Sequence, residues 1–173
     1  MGSIQPRRLM TASGRPIVVR TASPEDAERV VAFVKAVAAE APYLLTTEAE
    51  VVTTSERQRQ WLQQMADDPG KLALLAEHDG EMIGFLDFHN GNKRRTKHQG
   101  SFGMSVKNGF RGQGIGTALL AALLDWAKEN PLFFNIGHRF DIYCCSPFII
   151  ELNVLVACIE SETANPSSDV IVQ

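Results

Sequence analysis

The sequence predicts one α/β domain built in the order strand, helix, helix, three antiparallel strands, helix, and three observations carry that reading. At 173 residues the chain is long enough for a real core and too short for two ordinary domains. Short runs alternate apolar and small residues with period 2, most clearly Ser101–Val106, where Phe102, Met104 and Val106 mark a pleated chain. Other stretches repeat apolar residues three or four apart, and Ile115, Leu119, Ala122, Leu123 and Trp126 put a stripe on one helix face.

Taken in order, residues 1–14 are polar and punctuated by Pro6, Ser13 and Gly14, and are expected to form a flexible leader to a domain spanning 15–160. Ile17-Val18-Val19-Arg20 reads as a strand. Ser23-Pro24-Glu25-Asp26 is a helix start: a serine cap, proline in the first turn, and acids beside the positive end of the helix dipole. Ala27, Val30, Val31, Val34, Val37 and Ala38 keep helical spacing to about Glu40, and Ala41–Val52 is a loop. A second helix begins near Thr54-Ser55-Glu56, carries Trp61, Leu62 and Met65 on one side, and stops before Asp68-Pro69-Gly70.

Leu72–His78 and Glu81–His89 are β-rich runs joined by Asp79-Gly80, a strong hairpin signal because both turn positions need positive φ. The basic connection Lys93-Arg94-Arg95-Thr96-Lys97-His98 is either a docking rim for an anionic group or a solvated loop. After Ser101–Val106 comes the elbow Arg111-Gly112-Gln113-Gly114-Ile115-Gly116, and Asn130-Pro131 closes the long helix.

Composition narrows the function classes. A net charge of −3 offers no electrostatic reason for nucleic-acid binding. No run approaches the ~18 apolar residues of a membrane span, and Arg7-Arg8 are followed by no apolar signal core. Three cysteines, two of them adjacent at Cys144-Cys145, give neither a disulfide framework nor metal-ligand spacing. A cytoplasmic protein without a metal is expected.

The elbow has the chemistry of an anion site. The first turn of a helix carries N–H groups with no internal partner and about half a positive charge from the macrodipole. Glycines at 112, 114 and 116 remove the Cβ atoms that would hold a phosphate oxygen away, Arg111 adds charge and Thr117 a hydroxyl. A plain strand-to-helix turn is the bland alternative. A P-loop would need Lys-Ser/Thr after its last glycine, but Gly114 is followed by Ile115-Gly116. A dinucleotide fingerprint needs G-x-G-x-x-G, and Gly112, Gly114 and Gly116 run G-x-G-x-G.

A third pattern fits: Arg/Gln-x-x-Gly-x-Gly/Ala, here Arg111-x-x-Gly114-x-Gly116, following the strand that ends in Met104-Ser105-Val106. This resembles the coenzyme A motif of the GNAT superfamily of N-acetyltransferases, and the resemblance covers about Ile17 to Pro131. It implies a mixed, mostly antiparallel sheet with helices on both faces. It also implies that a bulge splays the strand, freeing the backbone of Met104 and Val106 for pantetheine and thioester. The pyrophosphate would lie on the backbone of Gln113, Gly114 and Gly116, with Arg111, Gly112 and Thr117 around it, and the basic loop would face the 3′-phosphate.

Beyond Pro131 the resemblance stops. The strand, helix, helical tyrosine and closing strand that the family supplies are not legible, and Tyr143 is a poor substitute for that tyrosine. Residues 131–173 hold no lysine, one arginine (Arg139) and five acids, so a divergent end and a reading-frame change both stay open, with 161–173 a tail. A lost strand would leave the edge at Ser101–Val106 uncovered and favour a homo-dimer.

The function expected is transfer of an acetyl group from acetyl-CoA, as co-substrate, to a primary amine of a small molecule or a protein. No catalytic residue is fixed by the sequence: Glu48, Asp87, His89 and His98 are candidates for the base, and Cys144 or Cys145 would need a base that nothing places. The alternatives are a non-catalytic acyl-CoA-binding module and a nucleotide-binding regulator.

Overall fold

Alternation along the central strands sorts their side chains onto two faces, and each face meets its own helices. The computed structural model describes residues 2–40, 54–91, 99–134 and 141–144. β1 (Arg7–Met10), β2 (Pro16–Thr21), β3 (Lys71–His78), β4 (Glu81–Asn90), β5 (Gln99–Val106) and β6 (Asp141–Cys144) form one sheet in chain order. The first five pair antiparallel and β6 runs parallel to β5. The helices are α1 (Ala27–Glu40), α2 (Ser55–Asp67), α3 (Ile115–Glu129) and the single turn α4 (Pro131–Phe134). The fold is the expected α/β class: a mixed, mostly antiparallel sheet flanked on both faces.

On one face Leu72, Leu74, Leu86, Phe88, Phe102 and Met104 pack against Ile115, Leu119, Leu123 and Trp126 of α3. On the other, Ala73, Leu75, Met82 and Phe85 meet Val30, Phe33 and Val37 of α1 and Leu62 and Met65 of α2. Leu72 and Leu74 against Ala73 and Leu75 is the period-2 rule seen directly. Between β3 and β4, Asp79 and Gly80 take φ of 48° and 79°, the left-handed pair that a two-residue hairpin needs. Thr54 caps α2 by accepting the Arg57 N–H at 3.2 Å. Asn130 ends α3 and begins α4: its side chain donates to the Pro69 carbonyl at 2.7 Å and accepts the Leu132 N–H at 3.0 Å.

Three sequence expectations are corrected. The expected 1–14 leader is not loose over its described residues, since Arg7–Met10 pairs with β2 and Arg7 bridges to Asp125 of α3 at 2.6 Å. Arg-Arg-Leu-Met has too few apolar residues to announce a strand, and its pairing comes from the backbone. The segment after Pro131 does supply a strand, Asp141–Cys144, and its four residues are too few for alternation to register. That strand lies along residues 99–102 of β5, so this half of the edge expected to be uncovered is paired. The Ala41–Val52 loop, the basic run 93–98 and the tail 161–173 lie outside the described residues. Among the described residues no helix is long and apolar enough to cross a membrane.

A buried ion network fastens α1 to the sheet. Arg20 of β2 donates two 2.7 Å bonds to the carboxylate of Asp26, the fork geometry that favours arginine. It also reaches Glu77 of β3 at 3.0 and 3.1 Å, and Arg29 of α1 joins Glu77 at 2.6 Å and Asp26 at 3.1 Å. Burial acts to raise the Asp26 and Glu77 carboxyls, but the hydrogen bonds and charge of Arg20 outweigh it and hold both below their ordinary range. The stability these depressed groups add is present above the unfolded carboxylate range of about 4 and is lost as pH falls through their folded values. Asp26→Asn leaves the half-buried guanidinium groups of Arg20 and Arg29 each short of a partner. It should cost about 3 kcal/mol at pH 7 and flatten the fall of melting temperature as pH drops below about 4. A variant whose acid limb matches the parent would remove the network from this role.

Candidate functional site

The site is built where β5 hands over to α3. An antiparallel strand points alternate N–H and C=O pairs to opposite sides. The Lys107 N–H donates to the Ile83 carbonyl at 2.9 Å, which turns Lys107 toward β4. With Val106 opposite Gly84 and Met104 opposite Leu86, Ser105 and Gly103 share that direction and Val106 and Met104 face away. The described pairing of β6 ends at Phe102, opposite Cys144, before Met104 is reached. The two backbone positions expected to hold pantetheine and thioester therefore turn their amides away from β4, toward the β6 side of β5.

The bulge expected in this strand is not there. The β4–β5 register runs unbroken from Gly84–Val106 to Asn90–Gly100, and the register shift falls instead at Ala76/Glu77, between β3 and β4. Ladder parity, with no bulge, turns the amides of Met104 and Val106 away from β4.

At the elbow, Gly112 and Gly114 take φ of 70° and 85°. Gly114 is the N-cap of α3 in the left-handed conformation, and its carbonyl accepts the first helical bond from Ala118 at 2.9 Å. Among the described residues a Cβ built on Gly112 or Gly114 meets no atom beyond its chain neighbours within 4 Å, so an added group there finds open space. Arg111 does more than add charge: its Nε donates to the Val106 carbonyl at 2.9 Å and folds the elbow back on the strand. Gln113 is tied down twice, its Nε2 donating to the Gly109 carbonyl at 2.8 Å and its Oε1 accepting from Ser13 at 2.6 Å. Gly116 and Thr117 lie in the first turn of α3, Thr117 exposed. All eight sequence-derived positions, Met104, Val106, Arg111, Gly112, Gln113, Gly114, Gly116 and Thr117, thus fall on one strand end and the helix start that follows it. Outward amides, an N-terminal helix turn and open space over glycine suit a pyrophosphate with an extended amide chain.

The N-terminal turn is a support that the sequence reading missed. The Ala12 N–H donates to the Gln113 carbonyl at 3.1 Å, and the Arg15 guanidinium lies 5.3 Å from the centre of the Phe110 ring. Gly14 at φ 79° was the available signal for a turn, but nothing local ties residue 13 to residue 113.

Among the base candidates, Asp87 and His89 come together on the α2 side of β4, Asp87 Oδ2 to His89 Nε2 at 3.1 Å. Glu48, His98 and Cys145 lie outside the described residues, and for Tyr143 and Cys144 only the strand is described. Among the described residues no group of three or more His, Cys, Asp or Glu could hold a metal ion.

The family model described as the acetyltransferase (GNAT) family matches residues 29–142. The L-amino acid N-acetyltransferase AaaT of Escherichia coli (strain K12) is 27% identical over 99 residues, 53% of this chain and 61% of that protein. The match thus spans less than two thirds of that relative's length. An acetyltransferase of the GNAT family from Streptococcus pneumoniae superposes with a TM-score of 0.66 at 24% identity, over 73% of each chain. The structure of yncA from Salmonella typhimurium with its cofactor acetyl-CoA gives 0.55 at 17% identity, over 65% of this chain and 64% of that one.

The positive φ at Gly114 makes a prediction independent of any ligand. With open space around it, a side chain there costs only backbone strain, about 1–2 kcal/mol for most residues and less for Asn. Urea denaturation should find Gly114→Val clearly less stable than Gly114→Asn. Equal loss for the two would mean that the left-handed cap is not what glycine supplies.

Proposed function

The chain belongs to the GNAT acetyltransferase family, and on that footing we propose that it moves an acetyl group from acetyl-CoA to a primary amine of a small molecule or a protein. The observation that carries the proposal is the continuity of the donor line. The outward amides of Met104 and Val106 run directly into the glycine-lined first turn of α3. Met104 and Val106 would bond the pantetheine amides and orient the thioester carbonyl, as an added strand would be bonded by a sheet edge. The backbone of Gln113, Gly114 and Gly116 would receive the pyrophosphate, with the helix dipole and Arg111 offsetting its charge. Bound acetyl-CoA supplies an activated acyl group and a thiolate leaving group.

An amine acceptor follows from the family's chemistry, and the amino-acid acceptor in the name of the Escherichia coli relative makes α-amines the first class to try. In this reading the protein's work is positional: one edge holds the donor straight while the acceptor arrives from the α1–α2 face.

Acetyl-CoA and CoA should raise the melting temperature by mass action on the folded state, with ATP and NAD giving much smaller shifts. Gly114→Asp, with its carboxylate over the elbow, should lose most of the CoA shift. Free-thiol release with a panel of amino acids, polyamines and short peptides should then reveal an acceptor. Equal shifts from CoA, ATP and NAD would reduce the elbow to a generic phosphate site. A CoA shift with no turnover on any amine would favour a binding module over an enzyme.

A further inference from the structure

We infer that Asp87 is the group that receives the acceptor amine and takes its proton, and that His89 and Trp61 hold Asp87 in place for it; this rests on the acetyltransferase reading above. Asp87 lies on β4 directly opposite Gly103 of β5, the residue before the outward amide of Met104. A Cβ on Gly103 would come within 3.1 Å of Asp87 Oδ1, 3.7 Å of its carboxyl carbon and 3.8 Å of Oδ2. The carboxylate therefore leans across β5 into the space that only glycine leaves, toward the edge where the thioester would be held.

The two carboxylate oxygens are unlike. Oδ2 is bonded to His89 Nε2 at 3.1 Å, and among the described residues Oδ1 has no such partner. The His89 ring is set against Trp61 of α2, centres 5.9 Å apart, and Trp61 lies 6.4 Å from Phe85. An aromatic shelf thus fixes the imidazole, the imidazole fixes Oδ2, and Oδ1 lies beside Gly103 of β5. Side-chain exposures of 30% for Asp87 and 37% for His89 leave the pair within reach of a solute. The carboxylate gives a cationic amine a counter-charge on the face opposite α3, so donor and acceptor need not compete for space.

The step balances without any other reactant. An ammonium first gives one proton to solvent. Its nitrogen lone pair then bonds to the acetyl carbon while the carbon–sulfur bond breaks and its electron pair leaves on sulfur. The second nitrogen proton passes to Asp87 Oδ1, and the thiolate is protonated to the free thiol as Asp87 returns to its carboxylate. His89 touches neither substrate and is a positioning residue.

The test uses the full chain and an amine that the parent turns over. Asp87→Asn keeps the shape and removes the base, so kcat should fall by about 10²-fold or more, with the CoA thermal shift unchanged. Gly103→Ala presses on the carboxylate from across the strand and should also lower kcat while leaving the CoA shift intact. His89→Gln keeps an N–H for Oδ2 and should retain most of kcat, whereas His89→Phe should lose it; a merely structural His89 would not separate the two. Full kcat in Asp87→Asn, or a loss explained by a lost CoA shift, overturns the assignment of Asp87. A parent with no CoA shift and no amine turnover overturns the acetyltransferase reading instead.

Discussion

Which way the amides of β5 point is decided at its C-terminal end, where the Lys107 N–H meets the Ile83 carbonyl at 2.9 Å. That bond fixes the parity of the whole strand, because N–H and C=O directions alternate residue by residue. Move the register by one and Met104 and Val106 turn into the ladder, their side chains leave the α3 core, and Asp87 no longer faces a glycine. The hydrophobic pattern holds the register: Phe102 and Met104 are both buried on the α3 side, so a one-residue slip would carry both out of that core. Site geometry and core packing are thus one constraint. This is why a site made mostly of backbone can be specific.

The elbow depends on that strand and on a second support. Arg111 closes on the last carbonyl of β5, while Gln113 is held by Ser13 and by the Ala12 amide from the start of the chain. A helix N-terminus is a common feature; one whose first turn is braced from both sides is pre-organised to receive an anion without ordering cost. On the opposite face, Arg20, Asp26, Glu77 and Arg29 fasten the first turn of α1 to β2 and β3. The same helix packs against α2, whose Trp61 sets His89. On the proposed reading the two faces have separate tasks, donor geometry along β5 and α3, acceptor chemistry over α2.

Much of this was legible in the sequence where the signal is local. Asp79-Gly80 announced the hairpin because positive φ at two successive positions is rarely met by other residues. The elbow was legible because Gly114 and Gly116 stand at fixed offsets from Arg111, immediately before a helical stripe. What stayed hidden is what depends on distant partners. Arg7–Met10 becomes a strand through its pairing with β2, and Asp141–Cys144 through its pairing with β5. Asp87 and His89 were candidates among four; only the register shows that Gly103 lies opposite Asp87. A glycine whose role is to leave room for another strand's side chain has no signature of its own.

The central claim is that the outward amides of β5 and the first turn of α3 form one continuous donor line. Residue-resolved amide hydrogen exchange, with and without saturating acetyl-CoA, tests it most directly. Met104, Val106 and residues 113–116 should slow together on binding, while Gly103 and Ser105, already bonded to β4, change little. Protection confined to the elbow, with Met104 and Val106 exchanging as in the free protein, would contradict the account: a phosphate would then bind without the strand that is meant to align the thioester.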